Sequence, residues 1–206
     1  EQLQSIFFEN KLPSNDIYIG GFSSGGNVSL LISSYLIENK NFKLNPKGVF
    51  IADSPIDLAA LYRSSEKNLI RNFSEVSVQE STWIIKTLGE QLKNPNNDIS
   101  KYQEYSVYTS ESNSINNLKG LKNTKIRLYT EPDTLWWKKN RMADYDQMNA
   151  FYIKSLFEDL KKSGFNQIEY IPTKNKGYRE NGDRHPHSWS IIDKEELIKW
   201  ITEEKL

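Results

Sequence analysis

Residues 16–29 read D-I-Y-I-G-G-F-S-S-G-G-N-V-S, an apolar run that breaks into glycines around a serine. Within it, residues 21–25, G-F-S-S-G, fit the pattern G-x-S-x-G with Ser23 in the middle. This pattern is typical of the nucleophile elbow, a sharp turn between a strand and a helix that exposes a serine hydroxyl. Because so tight a turn brings the backbone close to the following helix, it favours residues without side chains at Gly21 and Gly25. The stretch therefore predicts a strand, a turn and a helix, with Ser23 as a candidate nucleophile.

The composition excludes several classes of function. The 206 residues carry 27 Lys+Arg and 27 Asp+Glu, so the formal charge is zero and nothing favours a nucleic-acid partner. There is no cysteine, which excludes disulfides, thiolate metal sites and a cysteine nucleophile. No run approaches the roughly 20 apolar residues of a transmembrane span. With only two histidines and no glycine-rich dinucleotide fingerprint, we expect neither a metal nor another cofactor.

The hydrophobic pattern alternates between strands and helices along the chain. This alternation predicts an α/β fold, a three-layer α/β/α sandwich with a mostly parallel sheet, formed as a single domain by residues 1–206. Strands are predicted at 17–22, 48–52, 126–130 and 168–171, and helices at 25–38, 144–163 and 191–204. Residues 56–122 interrupt the alternation with helical patterns at 58–73 and 76–92. A connection of this length predicts a functional insertion or a subdomain.

Partners for a serine nucleophile follow the later strands. A serine hydroxyl needs a base to take its proton and an acid to orient that base. Both histidines, His185 and His187, lie between the fourth strand and the last helix, while Glu131 and Asp133 follow the third strand. Serine, acid and histidine thus come in an order suited to the carboxyl edge of a parallel sheet. Asp133 is the first choice as acid, with Glu131 and Asp144 as alternatives.

The chain resembles the C-terminal part of an α/β-hydrolase. Residues 21–27, G-F-S-S-G-G-N, are similar to the G-D-S-A-G-G-N elbow of the hormone-sensitive-lipase-like esterases, with Phe22 where that branch usually has Asp. Residues 54–57, S-P-I-D, also resemble the S-P-x-x-D found after the sixth strand of related esterases.

The resemblance implies a serine hydrolase with a catalytic triad. Ser23 would be the nucleophile, Asp133 the acid after the seventh strand, and His187 the base after the eighth, with His185 as the alternative base. The backbone N–H of Ser24 would donate to the oxyanion. The implied substrate is a small-molecule ester, or a peptide-like compound if the protein is a peptidase or amidase of the same fold. A non-catalytic binding module that keeps the elbow as architecture is a further alternative.

The resemblance also predicts the surroundings of this site. Phe22, Trp136 and Trp137 are candidates for substrate contact, although two adjacent tryptophans also serve as core anchors. Residues 56–122 would be the lid or cap inserted in the domain. In the family, further strands and a loop with a second oxyanion donor precede the elbow, whereas only about fifteen residues do so here. We therefore expect a hydrolase fold without its N-terminal strands, as a fragment, a fold completed by another segment, or a reduced version.

Overall fold

Four parallel strands form one sheet in the computed structural model, which describes residues 2–14 and 16–203. The strands are β1 (Ile17–Phe22), β2 (Pro46–Ala52), β3 (Lys125–Thr130) and β4 (Ile168–Pro172). They lie side by side in chain order, and each neighbouring pair is parallel. Because all four run in one direction, their carboxyl ends meet at a single edge of the sheet. The four predicted strands are confirmed.

Helices connect and flank the strands. They are α1 (Gln2–Glu9), α2 (Ser24–Glu38), α3 (Leu58–Arg71), α4 (Glu75–Leu92), α5 (Ser100–Tyr105), α6 (Thr134–Arg141), α7 (Asn149–Lys162) and α8 (Lys194–Thr202). Short 3₁₀ helices cover Asn116–Leu121, Tyr145–Gln147 and Trp189–Ile191. Within the described residues, no helix combines the length and the apolar character that crossing a bilayer requires.

The sheet carries apolar side chains on both faces because successive strand residues point to opposite sides. One face packs against α2 and α7. The buried side chains of the strands on this face include Val49, Ile51, Ile126 and Leu128, and they pack with Leu30 of α2 and Ile153 of α7. The other face packs against the segment around α8, through Ala52, Tyr129, Ile191 and Ile192 with Leu197 beside them. Helices therefore cover the sheet on both sides, as the predicted three-layer α/β class requires.

The segment between β2 and β3 divides into two parts. Its later part belongs to the main core, because Val107, Tyr108, Leu118 and Leu121 are buried there with the sheet residues. Helices α3 and α4 instead form a separate cluster with α5, built on Ala59, Tyr62, Leu92 and Tyr102. The buried carboxylate of Asp57 joins the two parts, since it caps α3 through the Ala60 N–H and accepts hydrogen bonds from Ser110.

Helix α6, which carries the two tryptophans, is not among the helices that the sequence pattern predicts. Asp133 begins this helix, with its Oδ1 atom accepting from the Trp136 N–H at 2.9 Å. An aspartate cap satisfies one of the N–H groups that have no acceptor inside the helix. This hydrogen bond fixes where α6 begins.

Candidate active site

Ser23 occupies the strained turn that the elbow pattern predicts. It connects β1 to α2 with φ 53° and ψ −132°, a conformation that residues with a side chain rarely adopt. Its N–H donates to the Ala52 carbonyl at 3.1 Å, so the turn continues the pairing of β1 with β2. Ser23 stands at the N-cap position of α2, yet its side chain makes no capping hydrogen bond. The hydroxyl therefore remains available for another partner.

Close packing explains two glycines of the elbow, Gly21 and Gly26, and only Gly21 is among those that the pattern predicts. A Cβ atom on Gly21 would lie 2.1 Å from the carbonyl oxygen of Gly25, which confirms the need for glycine two residues before Ser23. A Cβ atom on Gly25 would meet nothing within 4 Å, so the expectation there is wrong. The second close approach is at Gly26, where a Cβ atom would lie 1.9 Å from the Ser54 hydroxyl oxygen.

The imidazole of His187 lies between Ser23 and an aspartate. Its Nε2 atom is 3.2 Å from the Ser23 Oγ atom, and its Nδ1 atom is 2.7 Å from the Oδ2 atom of Asp53. A carboxylate accepts hydrogen bonds, so it favours the tautomer with the proton on Nδ1. In that tautomer Nε2 has a free lone pair and accepts from the Ser23 hydroxyl. The structure therefore contains a continuous serine–histidine–aspartate hydrogen-bond chain.

Asp53 is fixed in place at the end of β2. It has a φ of 43° and is 3 % exposed. Its Oδ1 atom accepts from the Thr130 hydroxyl at 2.7 Å, and its backbone carbonyl accepts from the side-chain amide of Asn149 at 2.8 Å. Its N–H donates to the Tyr129 carbonyl at 2.9 Å. With Oδ1 and the backbone held, Oδ2 is directed at His187.

Asp133 does not occupy the position predicted for the acid. Its Oδ1 atom caps α6, and its Oδ2 atom accepts from Arg184 at 2.7 Å. Both oxygens are thus engaged away from His187, and Asp53 replaces Asp133 as the histidine's partner. The alternatives have other contacts as well, because Glu131 pairs with Arg184 and Asp144 pairs with Lys138.

The sequence contained a signal for Asp53. This residue follows β2 directly, at the same sheet edge where Glu131 and Asp133 follow β3. The prediction instead placed the acid after the later strand, at Asp133, which is also the position that the resemblance implies. Thr130 carries no comparable signal, since a threonine at the end of a strand is common.

Ser24 is the first residue of α2 and is exposed. The N–H groups of a first helical turn have no acceptor inside the helix, and the helix dipole adds a partial positive charge there. The Ser24 N–H therefore belongs to a group of donors directly beside the Ser23 hydroxyl. Its role as an oxyanion donor stays a prediction.

His185 contacts His187 rather than Ser23. It is 8 % exposed, and its Nδ1 atom lies 2.9 Å from the backbone carbonyl of His187. Its ring packs edge-on against Trp136 and Trp137, at centroid distances of 4.7 and 6.1 Å. Burial, with a smaller effect from the Arg179 cation, lowers the pKa of His185 to about 4. His185 is therefore neutral near pH 7, so its Nδ1–H donates to the carbonyl of His187.

Three aromatic residues were candidates for substrate contact, and their contacts differ. The Phe22 ring lies 4.6 Å from the His187 ring and 5.3 Å from that of Trp189, which is 52 % exposed. Phe22 is thus an immediate neighbour of the hydrogen-bond chain. Trp136 and Trp137 pack on each other and on His185. A contact of any of the three with substrate stays a prediction.

The low pKa of His185 predicts a loss of stability in acid. The unfolded chain has the usual histidine pKa of about 6.5 and binds a proton first as the pH falls. The free energy of unfolding should therefore decrease from about pH 6.5 down to the folded pKa. Between pH 7 and pH 5, wild type should lose about 2 kcal/mol more than His185→Asn, which has no titrating group there. Urea unfolding at both pH values measures this difference, and equal losses in the two proteins would contradict it.

Among the described residues, no group of three His, Asp or Glu side chains is placed to hold a metal ion. No protein-family model, no curated protein and no solved structure matches this chain. The function is therefore argued from the geometry around Ser23.

Proposed function

We propose that this protein is a serine hydrolase that cleaves carboxylic esters through an acyl-enzyme on Ser23. The observation that carries the proposal is the hydrogen-bond chain from the Ser23 hydroxyl through His187 to the Asp53 carboxylate. A serine hydroxyl is a weak nucleophile on its own and reacts when an oriented base takes its proton. The hydrogen-bond chain supplies His187 as that base and Asp53 as the group that orients it.

The first half of the proposed reaction forms the acyl-enzyme. The Ser23 oxygen attacks the ester carbonyl carbon while His187 Nε2 takes the hydroxyl proton. Asp53 stabilises the imidazolium that results. The C–O bond to the leaving alcohol then breaks, and His187 returns the proton to that alcohol. The Ser24 N–H donates to the oxyanion of the tetrahedral intermediate, and one such donor typically contributes about 10²–10³-fold in rate.

The second half restores the enzyme by the same proton transfers. His187 takes a proton from water, the hydroxide oxygen attacks the acyl carbon, and the bond to Ser23 Oγ breaks. The proton passes back to Ser23 and the carboxylic acid leaves. The overall reaction converts one ester and one water into an acid and an alcohol, without a cofactor.

The surroundings of Ser23 support an apolar substrate. Phe22 lies against His187, and the half-exposed Trp189 continues the aromatic surface from Phe22. Such a surface favours an apolar acyl or alcohol group over a charged one. We propose that α3 and α4 form the lid of this hydrolase, because they have an apolar cluster of their own. Residues 107–121 are left out of the lid because they contribute to the main core.

A fluorophosphonate probe tests the proposal directly, because it phosphonylates an activated serine. We expect wild type to be labelled and mass spectrometry of the digest to locate the label on Ser23. Ser23→Ala should show no label, and Ser24→Ala, which retains its backbone N–H, should still be labelled. A p-nitrophenyl ester and the matching p-nitroanilide then distinguish an esterase from an amidase. A folded wild-type protein that is never labelled would exclude the proposed function.

A further inference from the structure

We infer that Glu131 is a positioning residue that holds His187 in register with Ser23 and Asp53. The inference rests on the proposed function, since it concerns the base of that reaction. The buried carboxylate of Glu131 is not itself part of the hydrogen-bond chain formed by Ser23, His187 and Asp53. The connection runs from Glu131 through the backbone of residues 173–187, the loop that carries His187.

Glu131 binds three donors of this loop. Its side chain is 1 % exposed. Its Oε2 atom accepts from the Thr173 hydroxyl at 2.9 Å, from the Lys176 N–H at 2.8 Å and from the Gly177 N–H at 3.1 Å. Hydrogen bonds to a charged acceptor are roughly twice as strong as those between neutral groups. The start of the loop is therefore fixed to the end of β3.

Arg184 balances the charge of this carboxylate from the far end of the loop. Its guanidinium pairs with Glu131 Oε1 and also with Asp133 Oδ2. Among the described residues, the Oε1 atom has no other partner, and it makes no hydrogen bond of regular geometry with Arg184. With one oxygen on the loop and the other beside an arginine, Glu131 serves as an anchor rather than as a base.

Gly177 connects this anchor to the histidines. Its carbonyl accepts from the Arg184 Nη1 atom at 2.7 Å and from the His185 N–H at 2.9 Å. A Cβ atom on Gly177 would lie 2.5 Å from the His185 carbonyl oxygen, so the two backbone segments are in direct contact. His185 in turn donates from Nδ1 to the His187 carbonyl. Each step from Glu131 to His187 is thus a hydrogen bond or a backbone contact within the described residues.

The test measures how fast Ser23 reacts with the fluorophosphonate probe in Glu131 variants. Glu131→Ala removes both the loop bonds and the arginine pair, and a displacement of a reacting group by about 1 Å costs about 10²-fold in rate. We expect the maximal inactivation rate to fall about 100-fold, with the probe's half-saturation concentration changed by less than about 3-fold. Glu131→Gln retains an acceptor for the loop donors but loses the charge that Arg184 pairs with, so its rate should lie between the other two, about 10-fold below wild type.

Asp159→Asn is the matched control. Asp159 lies near the end of α7 and accepts hydrogen bonds from the Tyr108 hydroxyl at 2.7 Å and from Lys162 at 3.1 Å, which do not involve the loop that carries His187. It should lower the melting temperature as Glu131→Gln does and leave the inactivation rate unchanged.

Equal inactivation rates in wild type, Glu131→Gln and Glu131→Ala would overturn the inference while the proposed function stands. An unlabelled wild type would instead exclude the proposed function. If Glu131→Ala does not fold, a rate for Glu131→Gln equal to that of wild type overturns the inference, and a lower rate with unchanged half-saturation supports it.

Discussion

Asp53→Asn is expected to lower kcat for ester hydrolysis about 10⁴-fold, the loss typical of removing the charge of a triad aspartate. Asparagine has nearly the shape of aspartate, so the Thr130 hydroxyl retains an acceptor at the Oδ1 position. The group facing His187 Nδ1 then becomes an amide N–H₂, which donates. The imidazole proton moves to Nε2 in response, and Nε2 no longer accepts from the Ser23 hydroxyl. The expected result is a folded protein that binds substrate and scarcely turns it over.

Asp133→Asn provides the comparison that separates the two candidate acids. Asp133 caps α6 and pairs with Arg184, and an asparagine still caps a helix. Its kcat should stay within about 3-fold of wild type, because the helix cap remains and Arg184 keeps its pair with Glu131. Initial rates with a p-nitrophenyl ester measure both variants. If Asp133→Asn loses about 10⁴-fold and Asp53→Asn does not, the hydrogen-bond chain to Asp53 is not the one that operates.

The layered fold could be predicted from the sequence because the apolar and helical patterns that indicate it are local and recur along the chain. Short apolar runs at 17–22 and 126–130 are long enough to identify buried strands, and the helical pattern between the first two strands implies a parallel crossover. Helix α6 was not predicted, and the local feature that marks its start is one capping bond, from the Trp136 N–H to the Asp133 carboxylate. An aspartate three residues before a tryptophan is a weak signal, since the same pair is common in loops.

Two members of the hydrogen-bond chain followed from the sequence, and the third did not. Ser23 is marked by a strained turn that demands glycines, and His187 is one of only two histidines. Asp53 is one of several carboxylates that follow a strand, and its orientation depends on a positive φ and on Thr130, which is 77 residues away in the chain. Long-range contacts of this kind arise from tertiary packing, which local sequence patterns do not encode. The contacts of Glu131 with the loop after β4 were hidden for the same reason.

Gly21→Ala is expected to destabilise the protein by about 3 kcal/mol, because overpacking against rigid backbone lies at the upper end of such costs. The new Cβ atom would be placed 2.1 Å from the Gly25 carbonyl oxygen and 2.5 Å from the Gly26 nitrogen. These atoms belong to the first turn of α2, so relief requires β1 and α2 to separate rather than a side chain to rotate. Ser23 lies between those two elements, so labelling by the fluorophosphonate probe should slow about 100-fold as well.

Gly25→Ala is the matched control, since it adds the same methyl group four residues later. The added Cβ atom meets nothing within 4 Å, and Gly25 lies in the first turn of α2. Alanine is favoured over glycine in a helix by roughly 0.5–1 kcal/mol, so this variant should be as stable as wild type or slightly more stable. Urea unfolding of the two variants compares them directly. A strict G-x-S-x-G requirement predicts equal damage at both positions, whereas the packing of β1 against α2 predicts damage at Gly21 alone. Equal destabilisation of the two variants would show that Gly25 is needed for a reason other than the space available for a side chain.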